Sequence, residues 1–176
     1  MENEQSIPVE SSPGAPADSL DLVIEEARAR DVRAIAEIQR QSFPPRLAYG
    51  PTALLTLLFW PNVAFLVARD RATDRVLGCG IADRYKGNTR VMNLAIDPSS
   101  RRRGVGRAIL KELDKAMPEG DMTLMVQEHN AGAQALYLSV GYLRAGLARD
   151  YYGANQHGIM MRKPRYPDHP TTTISV

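Results

Sequence analysis

The 176-residue chain has little cysteine and no long apolar run. Its one cysteine, Cys79, excludes an internal disulfide and a metal site built from several cysteines. A single cysteine also fits a reducing compartment, and we expect a cytoplasmic protein. The longest apolar run, residues 53–60, is far shorter than the ~20 residues that span a bilayer, so no membrane partner is expected. Residues 1–4 are acidic and no apolar core follows them, which argues against a secretory signal.

Excess charge of either sign is also lacking. The formal net charge is only +2, so bulk charge does not indicate a nucleic-acid partner. Length and composition predict one globular domain, over residues 21–163. Residues 1–20 are rich in serine, proline, glutamate and alanine and are expected to form a disordered tail. Residues 164–176 are expected to be flexible as well.

Hydrophobic periodicity predicts an alternation of strands and helices. The predicted order is one strand, two helices, three strands, a helix, a strand, a helix and two strands, which is an α/β chain with a mixed sheet. Asp31 is expected to cap the first helix. The helix that begins near Gly104 is expected to bury one apolar face, formed by Val105, Ile109, Leu113 and Met117.

The most informative segment is 101–107, which reads Arg-Arg-Arg-Gly-Val-Gly-Arg and lies between a strand-like run and a helix-like run. Gly104 and Gly106 let a phosphate approach the backbone closely. Amide groups at the helix start point toward such an anion, and the helix dipole adds roughly half a positive charge there. Together with the arginines, this pattern predicts a site for a phosphate-bearing cofactor.

Three blocks together carry a family resemblance. Arg101, Gly104 and Gly106, spaced R-x-x-G-x-G, resemble the acyl-CoA pyrophosphate motif of the GCN5-related N-acetyltransferases (GNAT). Residues 93–98, Asn-Leu-Ala-Ile-Asp-Pro, precede that motif as the fourth strand of the family does. Residues 130–142 resemble the family block N-x-x-A-x-x-L-Y-x-x-x-G-F. The resemblance extends from about residue 22 to residue 163.

The last part of this region is similar to one branch of the family. Residues 149–152, Arg-Asp-Tyr-Tyr, and residues 159–161, Ile-Met-Met, resemble the tail of the RimI type. RimI-type enzymes acetylate the N-terminal amines of proteins. The chain is therefore identified as most similar to RimI-type protein N-terminal acetyltransferases.

The resemblance implies an α/β (α+β) architecture of the GNAT type. Its central sheet is mixed, mostly antiparallel and twisted, has about seven strands flanked by about four helices, and is splayed between strands 4 and 5. The pantetheine arm of acetyl-CoA, the co-substrate, would pair in the gap with Leu94, Ala95 and Ile96. The residues implied to bind the rest of the cofactor are Arg101, Arg102, Arg103, Gly104, Val105, Gly106, Arg107 and, for the pantetheine arm, Asn130. No metal is expected.

The resemblance also assigns roles to tyrosines. Tyr137 would lie near the thioester sulfur, where its phenol could protonate the leaving thiolate or hydrogen-bond to it. Tyr151 and Tyr152 would bind the acceptor, because the RimI type uses tyrosines there to hold a peptide backbone. The implied activity is direct transfer of acetyl to a primary amine in a ternary complex.

One expected catalytic group is missing. RimI-type enzymes usually have an acidic or basic residue five positions before Asn130, and here that position is Met125. Gln127 lies on the same strand face but is no base, and alternation turns Glu128 to the other face. An α-amine has a pKa of about 7.7–8.0, whereas deprotonating a lysine costs roughly 4.6 kcal/mol at pH 7. A site without a strong base therefore favours an α-amine.

Three functions remain open on these grounds. The first is an N-terminal protein acetyltransferase, favoured by Tyr151 and Tyr152. The second is an acetyltransferase for a small amine such as a polyamine, an amino acid or an antibiotic, which Met125 and the divergent segment 43–60 keep open. The third is a non-catalytic acyl-CoA-binding module, against which Tyr137 argues. The assembly is expected to be a monomer or a homodimer.

Overall fold

The computed structural model describes residues 20–165, and within them the chain forms seven strands and four α-helices in the predicted order. The strands are β1 Leu22–Glu26, β2 Val63–Asp70, β3 Arg75–Tyr85, β4 Asn88–Ile96, β5 Met122–Gln127, β6 Leu143–Ala148 and β7 Gly158–Lys163. The helices are α1 Val32–Ser42, α2 Pro51–Leu58, α3 Val105–Ala116 and α4 Ala131–Ser139, with short 3-10 turns at Ala29–Asp31 and Pro98–Ser100. The two predicted tails lie almost wholly outside the described residues.

All seven described strands form one open sheet in the order β1-β2-β3-β4-β5-β7-β6. Neighbouring strands are antiparallel except β4 and β5, which are parallel. These two strands pair only from Thr89–Met122 to Val91–Leu124. Beyond that point residues 92–96 and 125–127 have no partner across the gap. The predicted mixed, mostly antiparallel sheet with a splay between strands 4 and 5 is thus confirmed.

A β-bulge lies at the point where β4 leaves β5. On β3, Ile81 pairs with Asn93 and Ala82 pairs with Val91, which leaves Met92 as an extra residue. Gln39 of α1 secures the bulge, because its Nε2 donates to Asn93 Oδ1 at 2.6 Å and its Oε1 accepts from Asn93 Nδ2 at 3.2 Å. Both side chains are buried, so this amide pair fixes α1 against the splayed part of β4.

The sheet has a hydrophobic core on each face. Under α3 and α4, the predicted stripe of Val105, Ile109, Leu113 and Met117 is buried, as expected. Under α1 and α2, the second core contains Ile35, Ile38, Leu54 and their neighbours. The splayed part of β4 contributes to both cores: Leu94 and Ile96 pack on the first, Met92 and Ala95 on the second. A ligand in the gap would therefore touch strand residues from both faces.

The predicted capping role of Asp31 is wrong. Its side chain makes no cap bond to α1, and its backbone is already helical. The carboxylate instead accepts from the Arg28 amide at 2.9 Å and from Arg69 Nη2 at 2.7 Å. Arg69 is almost fully buried, so its charge needs a carboxylate partner, and this requirement outweighs local capping preference.

Candidate active site

The open edge of β4 forms one wall of a cleft between β4 and β5. Leu94 and Ile96 are half-buried on the α3 side, whereas Ala95 is buried on the α1 side. The Ile96 carbonyl already accepts from Ser42 Oγ at 3.2 Å and from Arg101 Nε at 3.4 Å. The end of the edge is therefore tied to α1, and an extended ligand would add as a strand along its middle.

The loop that precedes α3 has a shape suited to phosphate groups. Gly104 is left-handed, with φ +83°, and a Cβ placed there would meet no atom within 4 Å. Arg102 is left-handed too, with φ +59°. The first amide bonded back along the helix is that of Ala108, which donates to the Gly104 carbonyl at 3.0 Å. The amides of residues 105–107 precede that bond and so have no acceptor within the helix, as an anion site requires.

The other predicted residues of this loop differ in their exposure to solvent and in their packing. Arg101, Arg102, Arg103 and Arg107 are all exposed. The Val105 side chain is only 1% exposed, so this residue can offer a ligand its amide alone. At Gly106 a Cβ would meet Leu136 Cδ2 at 2.9 Å, so the glycine lets α3 and α4 approach closely without a shift of the Leu136 side chain.

Helix α4 follows β5 and carries two of the predicted site residues, Asn130 at its start and Tyr137 near its end. Asn130 caps the helix, as its Oδ1 accepts from the Ala133 amide at 3.0 Å, and its Nδ2 is left as a donor. Tyr137 is 8% exposed, and burial raises the pKa of its hydroxyl to about 12. The neighbouring Tyr142 has its hydroxyl bonded to Met122 Sδ, and its ring centroid lies 5.6 Å from that of Tyr137. Tyr137 is therefore protonated at neutral pH and can act as a donor.

An aromatic cavity of about 450 Å³ opens on the other face of the sheet, beside the splay. It is lined by tyrosines, methionines and two cationic side chains: Tyr49, Tyr85, Lys86, Arg90, Val91, Met92, Thr123, Leu124, Met125, Tyr151, Tyr152 and Met160. The structure thus brings three of the residues singled out in the sequence, Met125, Tyr151 and Tyr152, into one cavity. The sequence alone did not single out most of the other lining residues, because they lie on segments far apart in the chain.

Two loops that face each other cover the cavity. One follows α1 and contributes Tyr49; the other joins β6 to β7 and contributes Tyr151 and Tyr152. The rings of Tyr151 and Tyr152 meet edge to face, with centroids 4.9 Å apart. An Arg46 guanidinium hydrogen bond to Gln156 Oε1 links the two loops. The tyrosines are therefore held by a bridged pair of loops.

Tyr152 also connects the cavity with the cleft. Its hydroxyl donates to the Met125 carbonyl at 2.9 Å, on the part of β5 that no longer pairs with β4. Burial raises the pKa of Tyr152, and the nearby Tyr151 and Tyr137 raise it further. Tyr137 itself belongs to the hydrophobic core under α3 and α4, on the opposite face of the sheet.

The cavity contains no carboxylate or imidazole among its lining residues. Met125 fills the position where a base was expected, and its Sδ would lie 2.8 Å from a Cβ added at Gly158. Glu128 lies beyond β5 and is exposed, with its amide bonded to the His157 carbonyl at 3.1 Å. Asp83 is close by, but both its oxygens accept from Arg90, at 3.0 and 2.5 Å. The described residues thus offer no free proton acceptor inside the cavity.

Comparison with known proteins identifies this arrangement. The family description of the acetyltransferase (GNAT) domain matches residues 61–144. The N-alpha-acetyltransferase RimI of Mycobacterium tuberculosis is 33% identical over 141 residues, which cover 77% of this chain and 87% of that protein. The chain belongs to the GNAT acetyltransferase family. This GNAT chain is an N-acetyltransferase, and its co-substrate is acetyl-CoA.

Solved structures agree with the fold of this GNAT chain. The ribosomal-protein-S18-alanine N-acetyltransferase from Escherichia coli superposes with a TM-score of 0.71 at 21% identity, over 88% of this chain and 99% of that one. The PaiA N-acetyltransferase from Thermoplasma acidophilum, solved in complex with coenzyme A, gives 0.68 at 17% identity, over 82% and 99% of the two chains. These likenesses concern the fold, whose splayed sheet fits an extended thioester carrier.

Two further properties of the GNAT chain concern residues 20–165 alone. In that range no three histidine, cysteine, aspartate or glutamate side chains are grouped so that they could hold a metal ion. No helix in that range combines the length and the apolar character that crossing a membrane requires.

Proposed function

We propose that this enzyme transfers acetyl from acetyl-CoA to the α-amine of a peptide or protein N-terminus. The observation that carries the proposal is the aromatic cavity, which opens beside the splay and has cations but no free carboxylate in its lining. A polyamine or an aminoglycoside carries several positive charges and would meet Lys86 and Arg90 there. A peptide presents one amine and an otherwise neutral backbone.

The donor half of the site is proposed to act through the backbone. The amides of residues 102–107 would hold the pyrophosphate, and the middle of the β4 edge at Leu94 and Ala95 would pair with the pantetheine arm. Asn130 Nδ2 would donate to that arm while its Oδ1 caps α4. The open space in front of Gly104 supports this assignment.

Tyr137 is proposed as the catalytic acid. Its hydroxyl would donate a proton to the departing thiolate, or hydrogen-bond to it, as the amine nitrogen forms its bond to the acetyl carbon. A pKa of about 12 keeps the donor protonated at every pH at which an α-amine reacts. Tyr151 and Tyr152 would hold the acceptor backbone, and the Arg46–Gln156 bridge would keep their loop in place.

No side chain is proposed as a strong base. An α-amine has a pKa of about 7.7–8.0, so a useful fraction is already neutral near pH 7. The proton released on attack would leave through water at the β5 carbonyls beside the splay. The Met125 carbonyl is one such group, and Tyr152 already donates to it at 2.9 Å.

The names of the relatives give this function additional support. A protein 33% identical to this chain is named an N-alpha-acetyltransferase. The small-amine alternative keeps one observation in its favour, since Met125 stands where RimI-type enzymes usually have an acidic or basic residue.

Thiol release from acetyl-CoA, measured with a peptide panel and an amine panel, tests the proposal. We expect turnover of peptides with a free N-terminus and none of the same peptides blocked at that amine. Turnover of polyamines, free amino acids or aminoglycosides alone would refute it. Coenzyme A binding without turnover of either panel would refute it too.

A further inference from the structure

The hairpin turn between β3 and β4 presents a lysine at the rim of the aromatic cavity. Tyr85 pairs with Asn88, so the turn consists of Lys86 and Gly87, both left-handed at φ +49° and +75°. Asn88 Nδ2 donates to the Lys86 carbonyl at 3.3 Å. The backbone below Lys86 is therefore a fixed two-residue turn and not a loose loop.

Tyr85 holds this lysine beside a second cation. Lys86 Nζ lies 5.3 Å from the centroid of the Tyr85 ring, and the Arg90 guanidinium carbon lies 4.2 Å from it. Both distances are in the range of cation–π attraction. All three side chains line the cavity, so one wall of it carries two cations on a shared aromatic ring.

The charge of this wall is only partly neutralised. Arg90 donates from Nε and Nη2 to Asp83, which raises the pKa of Arg90 and leaves its Nη1 without a described acceptor. Within residues 20–165 no carboxylate pairs with Lys86, whereas the neighbouring Arg84 is paired with Glu119 on the other side of the strand. The wall therefore has a net positive charge that faces the cavity.

We infer that Lys86 and Arg90 form an anion subsite that selects acceptor peptides with an acidic side chain in their first few residues. The inference rests on the proposed function and deepens it. Lys86 Nζ and Arg90 Nη1 would donate to the acceptor carboxylate while the amine points toward the splay. A basic side chain at the same place would be repelled, so the subsite favours acidic acceptor peptides and disfavours basic ones.

Initial rates with C-terminally amidated peptides test this inference. The peptides differ only in glutamate, glutamine or lysine at the second position, with a parallel series at the third. We expect kcat/KM to fall from glutamate to glutamine to lysine, by about threefold to tenfold overall, in at least one series. Lys86→Met should flatten that order, and Lys86→Glu should invert it.

Arg71→Glu is the matched control, because it makes the same charge change in the exposed turn between β2 and β3 at the other end of β3. It should leave the order of the peptides intact.

Equal kcat/KM values for the acidic, neutral and basic peptides would refute the anion subsite but not the proposed function. Failure to acetylate any peptide would instead overturn the proposed function. Preferential turnover of free glutamate or aspartate over every amidated peptide would mean that Lys86 and Arg90 bind the carboxylate of a free amino acid. That result would refute the inference about peptides.

Discussion

The proposed donor half and the proposed acceptor half of the cleft are built from different material. The donor half is mostly backbone: the unpaired edge of β4, the left-handed Gly104 and the first turn of α3. The acceptor half is mostly side chain, with four tyrosines, three methionines and two cations around one cavity. Backbone recognition depends on where the chain turns, so it suits a donor that is constant. Side-chain recognition changes with each substitution, so it suits an acceptor that differs between enzymes.

The largest expected effect is at Tyr137, the proposed catalytic acid. We expect Tyr137→Phe to lower kcat by about 100-fold or more, because it removes the proton donor and keeps the buried ring. Wild-type kcat/KM should rise with pH as the acceptor amine loses its proton near pH 7.7–8.0. It should not fall again below about pH 11, because Tyr137 loses its proton only near its pKa of about 12.

Tyr142→Phe is the control for that experiment, since Tyr142 is a buried neighbour whose hydroxyl bonds to Met122 Sδ at 3.5 Å. It should leave kcat within about twofold of wild type. An unchanged kcat in Tyr137→Phe would show that the thiolate leaves without help from this tyrosine.

A smaller effect is expected at Gly104, and it concerns the donor half alone. We expect Gly104→Ala to weaken coenzyme A binding about tenfold in calorimetry, because the left-handed backbone that aims the amides becomes strained. Gly87→Ala is matched to it: Gly87 has φ +75° and its Cβ would also meet nothing within 4 Å. Both variants should lose about 1–2 kcal/mol of stability. Equal loss of coenzyme A affinity in the two would contradict the anion site.

The mildest change tests the acceptor half. Met125→Glu places a carboxylate where the cavity has no proton acceptor, in a side chain of similar length. We expect kcat at pH 7 to rise about fivefold and the acidic limb of the pH profile to move to lower pH. Met125→Gln has the same size without the base and should show neither change. The same pH profile in both variants would mean that proton removal does not limit this enzyme.

Most of the donor half was predictable because it is local in sequence. The strand, the loop with Gly104 and the start of α3 follow one another, and the stripe of Val105 and Ile109 follows from helical spacing alone. Asp31 shows the limit of local rules, since a buried charge on a distant strand took the carboxylate that was expected to cap a helix.

The acceptor half could not be predicted in the same way. Tyr49, Arg90 and Tyr151 are separated by dozens of residues and meet only through the tertiary fold. The splay beside the cavity begins at a bulge at Met92 that no residue type predicts. The tyrosine pair after β6 was found only through its resemblance to the RimI type, and nothing in the residues alone marked Lys86.

The extra residue in β4 also decides which side chains the splayed edge carries. Met92 and Asn93 both turn toward α1, and regular alternation resumes after them, with Leu94 and Ile96 on the α3 side and Ala95 on the α1 side. If β4 ran through Met92 without a bulge, every later residue would change face. Ala95 would then turn toward α3, and Leu94 and Ile96 would be driven against α1. The bulge therefore keeps each side chain of the splayed edge against its own core.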